Sequence, residues 1–307
     1  MMENNDLLSR IIAEVLAEMG GSVPASAVES AVKASLSAPS GGSVSASSSV
    51  ADINNTTDIT SKESKATPTL DNPADMDSLL RMKSKTPARI GVGRAGGRLK
   101  TQTMLTLRAD HAAAKDAVFM DVDPALLEKM GLFSVTTMCS DKNQFLTRPD
   151  LGRRFSDETI REIQSKCAKN VDVQIYASDG LSSTAIKANL ENILPAIMDG
   201  LKSKGISVGT PFYVKYGRVG AEDAISEALG CKVICVLIGE RPGLATAESM
   251  SAYIAYNATV GMPEARRTVV SNIHSGGIAA VEAGAYIADL IEKILKAKQS
   301  GVELQNG

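Results

Sequence analysis

Gly91, Gly93 and Gly96 stand in the run GVGRAGG as G-x-G-x-x-G, a spacing that lets a backbone turn tightly against a dinucleotide pyrophosphate. That chemistry needs a strand before the turn and a helix after it. MKSKTPARI precedes the run, too short and too charged for a buried strand, and Arg94 and Arg98 crowd the turn. The competing reading is a basic turn leading into TQTMLTL, with arginines that would suit a partner surface. Ser178, Ser182 and Ser183 supply hydroxyls with no histidine nearby in sequence. No G-x-S-x-G elbow, Walker loop or H-E-x-x-H pair occurs. Cys231 and Cys235 lie four apart on an apolar run, which would put both on one strand face as buried small hydrophobes. Asp110, Asp116, Asp121 and Asp123 read as solvated helix faces and turns. Nothing in the chain by itself assembles a nucleophile, its base and an orienting group.

Composition narrows the classes further. The 307 residues are 44% apolar, enough for a real core, and their net charge of −2 argues against a bulk electrostatic grip on nucleic acid. Two histidines, His111 and His274, and four cysteines without a C-x-x-C pair argue against a zinc site of the usual kind. No stretch approaches the ~20 apolar residues that span a bilayer, and so few cysteines suit a reducing compartment. The chain reads as soluble and intracellular, with no membrane partner.

The elements that must position any site divide into four spans. Over residues 1–19, Leu7, Leu8, Ile11, Ile12, Val15, Leu16 and Met19 form one apolar stripe on a helix that Gly20 and Gly21 stop. Residues 20–70 are Ser, Thr, Ala and Gly with no aromatic side chain, a composition that cannot offset its ordering entropy, and are expected to be a disordered linker. A helix tethered on such an arm suits capture by a partner. Residues 71–169 read as mainly helical, with helix starts at Asp123-Pro124 and Ser156. Residues 170–307 alternate β-branched runs (171–178, 211–217, 231–239, 251–257, 267–272) with helical patterns. The fold class expected is α/β: a mostly parallel, Rossmann-like sheet with helices on both faces, preceded by the smaller helical region. A closing helix over 279–298 would turn Val281, Ile287, Ile291, Ile294 and Leu295 inward.

Four strands run into Gly-bearing loops: SDGLSS, YGRVG, GERPG and SNIHSGG. In open α/β sheets ligands sit where strands deliver loops at their carboxyl ends, so these loops are candidates for one rim. Within the last, Asn272, His274 and Gly277 spell N-x-H-x-x-G, one residue from the D-x-H-x-x-G signature in which a histidine replaces the lower ligand of cobalamin. The carboxylate there orients and charges the imidazole. Asn cannot charge it, and a hydrogen-bonded loop histidine is the competing reading.

GRAG (93–96), SDKN with LTRPDLGRR (140–154), SDGLS (178–182), VGTPFYVKYGRV (208–219), GERPGL (239–244) and SNIH-x-GG (271–277) carry a family resemblance. In matching order, these six segments resemble the small (light) subunit of ethanolamine ammonia-lyase, from Gly93 to about Lys298. The resemblance implies half of an adenosylcobalamin-dependent enzyme that converts ethanolamine to acetaldehyde and ammonia by a radical mechanism. It implies a β/α-barrel large subunit that holds the substrate, equal numbers of both subunits in a hetero-oligomer, and cobalamin enclosed between them. Cofactor contacts carry over onto Val219 of YGRV, Glu240 of GERPG and Val269, two before Ser271; some relatives have cysteine at that last position. No catalytic residue is implied on this chain, and His274 stays a loop residue because the family's cobalt keeps its own base. The N-terminal helix resembles an encapsulation peptide, which implies delivery to the shell of a bacterial microcompartment within the cytoplasm. Two other classes compete. A free-standing nucleotide-binding α/β enzyme would use GVGRAGG alone, and a microcompartment scaffold would be indifferent to Val219 and Glu240.

Overall fold

The computed structural model describes residues 58–305; the helix expected over 1–19 and most of the linker expected over 20–70 lie outside the described residues. Within the remainder of that linker span, α1 (Lys62–Ala66) starts at Ser61, whose side chain accepts from the Ser64 N–H. Next come α2 (Met76–Lys83), capped by Asp75, and a small hairpin of β1 (Arg94–Ala95) and β2 (Arg98–Leu99). The hairpin settles GVGRAGG. Gly96 turns it at φ +61°, and a Cβ on Gly93 would stand 2.0 Å from the Thr69 carbonyl oxygen. No strand of the main sheet leads into it, so it is a basic turn that feeds α3 (Thr101–Phe119).

Asp110 on α3 departs from the solvated role expected for it. It is buried, and Lys65 and Arg89 converge on its two oxygens. A carboxylate leaves water when cations and hydrogen bonds replace its hydration.

α4 (Pro124–Lys129) starts as expected, with the Asp123 side chain accepting from Ala125 N–H and Pro124 in the first turn. β3 (Phe133–Thr136), α5 (Lys142–Thr147) and α6 (Asp157–Lys166) follow, and Ser156 caps α6 by accepting from Thr159 N–H at 3.1 Å. The rest alternates: β4 (Val173–Ser178), α7 (Ser183–Ser203), β5 (Phe212–Lys215), α8 (Ala221–Leu229) and β6 (Val233–Gly239). β7 (Met250–Tyr256), β8 (Arg267–Ile273), α9 (Ala280–Ala297) and α10 (Val302–Gln305) close the chain.

Six strands form one sheet in the order β3-β5-β4-β6-β7-β8. The expected mostly parallel sheet is found in β3, β5, β4 and β6, but β7 is antiparallel to both neighbours, so the sheet is mixed and the Rossmann-like description is corrected. β3 also lies inside the span read as mainly helical.

Helices cover both faces, as expected. On one face α7 and α9 pack with Val173, Ile175, Val233, Cys235, Leu237, Ala252 and Ile254; on the other α6 and α8 pack with Tyr176, Phe212, Val214, Ile234, Val236 and Ile238. Ile287, Ile291 and Ile294 of α9 are buried and Leu295 partly so, but Val281 is exposed because it faces away from the side on which Ala280, Ala283 and Ile287 meet the core. Cys231 and Cys235 are both buried but pack against opposite faces. The strand begins only at Val233, so period-two counting from Cys231 fails.

The second face holds a buried charge cluster. Arg267, at the start of β8, pairs with Glu222 and Asp223 of α8, and its side chain is 1% exposed. Burial pushes the Glu222 carboxyl up to about 8, and Asp223 shifts the same way. The folded chain therefore binds these protons more tightly than the unfolded one. The stability Glu222 contributes is fully present below its unfolded value of 4.5 and is lost as pH rises through about 8. The expected result is an unfolding midpoint that falls between about pH 5 and pH 9, with a shallower fall in Glu222→Gln. Equal slopes in the two proteins would remove Glu222 as the source.

Candidate functional site

Because β8 is parallel to β6, the carboxyl ends of β3, β4, β5, β6 and β8 all lie on one edge of the sheet. The four Gly-bearing loops share that rim, and the loop after β3 joins them. β4 and β5 are adjacent, yet β4 feeds α7 on one face while β5 feeds α8 on the other. Loops that part to opposite faces open a crevice, the position at which α/β sheets take ligands.

Asp179, directly after β4, ties the crevice together. Its side chain is 1% exposed and accepts from Lys142 Nζ at 3.0 Å and from the Tyr216 N–H at 2.8 Å. Three strand ends thus meet on one carboxylate. Burial raises its pKa against the lowering effect of Lys142. Tyr216 sits at φ +60°, a conformation that non-glycine residues rarely adopt. Asp179 holds its N–H, the Thr137 hydroxyl donates to its carbonyl at 3.0 Å, and its ring stacks on Phe145 at 5.9 Å. The strained residue opens the YGRV turn and sets where Arg218 and Val219 go.

Glu240 is the second junction. Its carboxylate accepts from Ser249 Oγ at 2.7 Å, from Ser251 Oγ and from the Asn272 N–H at 3.1 Å. The end of β6, the start of β7 and the end of β8 are thereby tied. Asn272 adopts φ +62°, which turns its N–H towards that carboxylate. Val269 is 45% exposed on the edge strand β8 and opposes Tyr253, while Val219 and Tyr253 are both half-buried against the core of that sheet face. Glu240 reaches the same face through Ser251, the next residue but one from Tyr253 on β7. Val219, after β5, and Val269, midway along β8, thus lie on the sheet face that Glu240 reaches through Ser251.

His274 is a hydrogen-bonded loop residue. Its Nδ1 accepts from the Gly276 N–H at 3.1 Å, so Nε2 carries the proton towards Asn272 Oδ1 at 2.9 Å. Among the described residues no three His, Cys, Asp or Glu side chains gather to hold a metal ion. Nor is any helix there long and apolar enough to cross a membrane. Two clefts lie off the rim, of about 290 Å³ beside α1 and α3 and about 430 Å³ beside the start of α8. Of their charged linings, Asp110 is paired with Lys65 and Arg89 in the first and Asp223 with Arg267 in the second.

Sequence reasoning did not single out Asp179, Lys142, Ser249 or Ser251 as site residues. SDKN and SDGLS each put an ionisable residue just after a strand, which is the signal that points to the first two. Taken together, these features define a mixed α/β protein whose polar groups converge at the carboxyl ends of its strands. The chain belongs to the ethanolamine ammonia-lyase light chain family. The family model described as "Ethanolamine ammonia-lyase light chain (EutC)" matches residues 76–305. The ethanolamine ammonia-lyase small subunit of Clostridium tetani is 62% identical over 248 residues, covering 81% of this chain and 84% of its own. That of Clostridium perfringens is 52% identical over 303 residues, covering 98% and 100%. The small subunit of Listeria innocua is 48% identical over 302 residues, again covering 98% and 100%.

Proposed function

We propose that this chain is the cofactor-enclosing half of an adenosylcobalamin-dependent ethanolamine ammonia-lyase, working only with a large subunit in a hetero-oligomer of equal numbers. The carrying observation is Glu240, a carboxylate pinned by three donors at the meeting of three strands. A carboxylate offers about four acceptor positions, so three donors leave one open. The corrin side chains are amides, whose N–H groups need an acceptor when enclosed. Leaving one unpaired costs about 1–3 kcal/mol. Val219, Tyr253 and Val269 supply the apolar shelf beside it. The residues present therefore fit the cofactor's periphery.

When bound, the cofactor supplies the carbon-centred radical that starts deamination of ethanolamine. This chain's residues bind, orient and exclude water; the name "small subunit" printed for its relatives favours that division. Delivery to a bacterial microcompartment shell by residues 1–19 rests on their apolar stripe alone. GVGRAGG folds as a hairpin turn, which disfavours a free-standing nucleotide-binding enzyme.

The test compares this chain, the large subunit and the co-expressed pair for adenosylcobalamin-dependent acetaldehyde release. Activity is expected in the pair alone. In the pair, Glu240→Ala should raise the dissociation constant for cobalamin about tenfold or more, in line with the loss of one charge-assisted hydrogen bond. Unchanged affinity would sink the role given to Glu240, and a scaffold role would predict that outcome.

A further inference from the structure

Arg218 presents an unpaired cation at the crevice. Its side chain crosses Gly152, where a Cβ would lie 2.8 Å from the arginine Cγ, and its guanidinium rests 4.1 Å above the Phe145 ring. One nitrogen donates to the Phe145 carbonyl at 2.8 Å. Nε is buried with no acceptor, and among the described residues no carboxylate pairs with this guanidinium. Burial lowers its pKa, as do nearby Arg153 and Arg241. Arg241 is exposed and has no ion pair among the described residues; Arg153 has only a distant one, 3.9 Å from Glu264. Arg153 and Arg241 thus lie near enough to press on the Arg218 charge, and among the described residues none of the three has a close ion pair. Desolvating a cation is costly unless an anion accompanies it.

We infer that Arg218, helped by Arg241, binds the phosphodiester of the cobalamin nucleotide tail. The inference rests on the cofactor reading above. Cobalamin carries one such monoanion, and a guanidinium grips it with paired N–H donors. Position in the chain favours this ligand: Arg218 precedes Val219 and Arg241 follows Glu240, so the amide-accepting and anion-binding groups lie on the same two loops. Gly152 is needed because any side chain there would lift Arg218 off the Phe145 ring.

The experiment measures equilibrium binding to the co-assembled enzyme of three probes: cyanocobalamin, cobinamide phosphate and cobinamide, which lacks the phosphate. The wild-type complex should prefer the two phosphate-bearing probes. Arg218→Gln should weaken both of those at least tenfold and change cobinamide less than twofold. Arg241→Gln, at an exposed position that cannot disturb the core, should do the same to a smaller degree. Equal weakening of all three probes, or of none, overturns the inference while leaving the cofactor reading intact. So does an Arg218→Gln chain that no longer assembles while Arg241→Gln leaves probe preference unchanged, which would assign the anion to a large-subunit carboxylate. Failure of the wild-type complex to bind any of the probes overturns both readings.

Discussion

Replacing Arg267 by methionine is expected to destabilise the fold by about 3–5 kcal/mol, read as a fall in the urea midpoint at a pH above the raised Glu222 value of about 8, where that carboxyl is ionised. Arg267 bridges three carboxylates. Glu222 and Asp223 come from α8 and are 0% and 8% exposed; Glu264 is 61% exposed and solvated. Removing the guanidinium would leave two acids in the core without a cation. Glu222 already has one oxygen, Oε2, with no partner. The site has no slack to absorb a second loss. A companion variant separates charge from packing: Arg267→Met combined with Glu222→Gln and Asp223→Asn should recover much of the deficit, since neutral amides cost less to bury than carboxylates. If Arg267→Met alone costs under about 1 kcal/mol, both acids are protonated in the folded chain and the ion-pair account fails.

Asp179→Ala is expected to do comparable damage, about 3–5 kcal/mol, and to reach the site as well. The substitution strands the Lys142 ammonium beside the Phe145 and Tyr216 rings, 5.3 and 5.1 Å from their centroids. It also releases the Tyr216 N–H, leaving the Thr137 hydroxyl and the Phe145 ring to hold that residue at φ +60°. Relaxation of Tyr216 would move the turn that carries Arg218 and Val219. Cobalamin affinity of the assembled enzyme should fall more than tenfold, measured by equilibrium binding. Asp179→Asn keeps an acceptor for the Tyr216 N–H and loses only the charge, so its affinity should lie between the two. An Asp179→Ala complex that binds cobalamin normally would show that the YGRV turn does not depend on this carboxylate.

How far residues announce such an arrangement depends on the range of the interaction. VDVQIYAS and CKVICVLIG are dense in β-branched side chains, and both became buried strands within two residues of their expected bounds. Strand direction was not legible from those runs. It was legible in what joins them: residues 240–249 and 257–266 hold no helical pattern, and a parallel return needs a dozen or more residues and normally a helix. β3 escaped notice because FSVT is only four residues, between a glycine turn and polar sequence. Val219 of YGRV and Glu240 of GERPG were singled out by the family resemblance. The partners that fix the rim did not show themselves, because Lys142 and Asp179 are 37 residues apart and Glu222 and Arg267 are 45 apart. A lone charged residue in sequence reads as surface until its counter-charge is placed.

The strand order also sets how dearly each half of the sheet is closed. β6 and β7 join through Gly239 and Met250, 11 residues apart, whereas β3 and β5 join Phe133 to Phe212, 79 apart. Loop-closure entropy grows with the logarithm of loop length, so the second closure is costlier by roughly 2 kcal/mol. Glu240 lies on the short loop, and Tyr216 directly follows the strand that must slot between β3 and β4. The two halves of the rim are thus separated in folding cost as well as in space, and the half built on Glu240 is the one the polypeptide can close from its own neighbourhood.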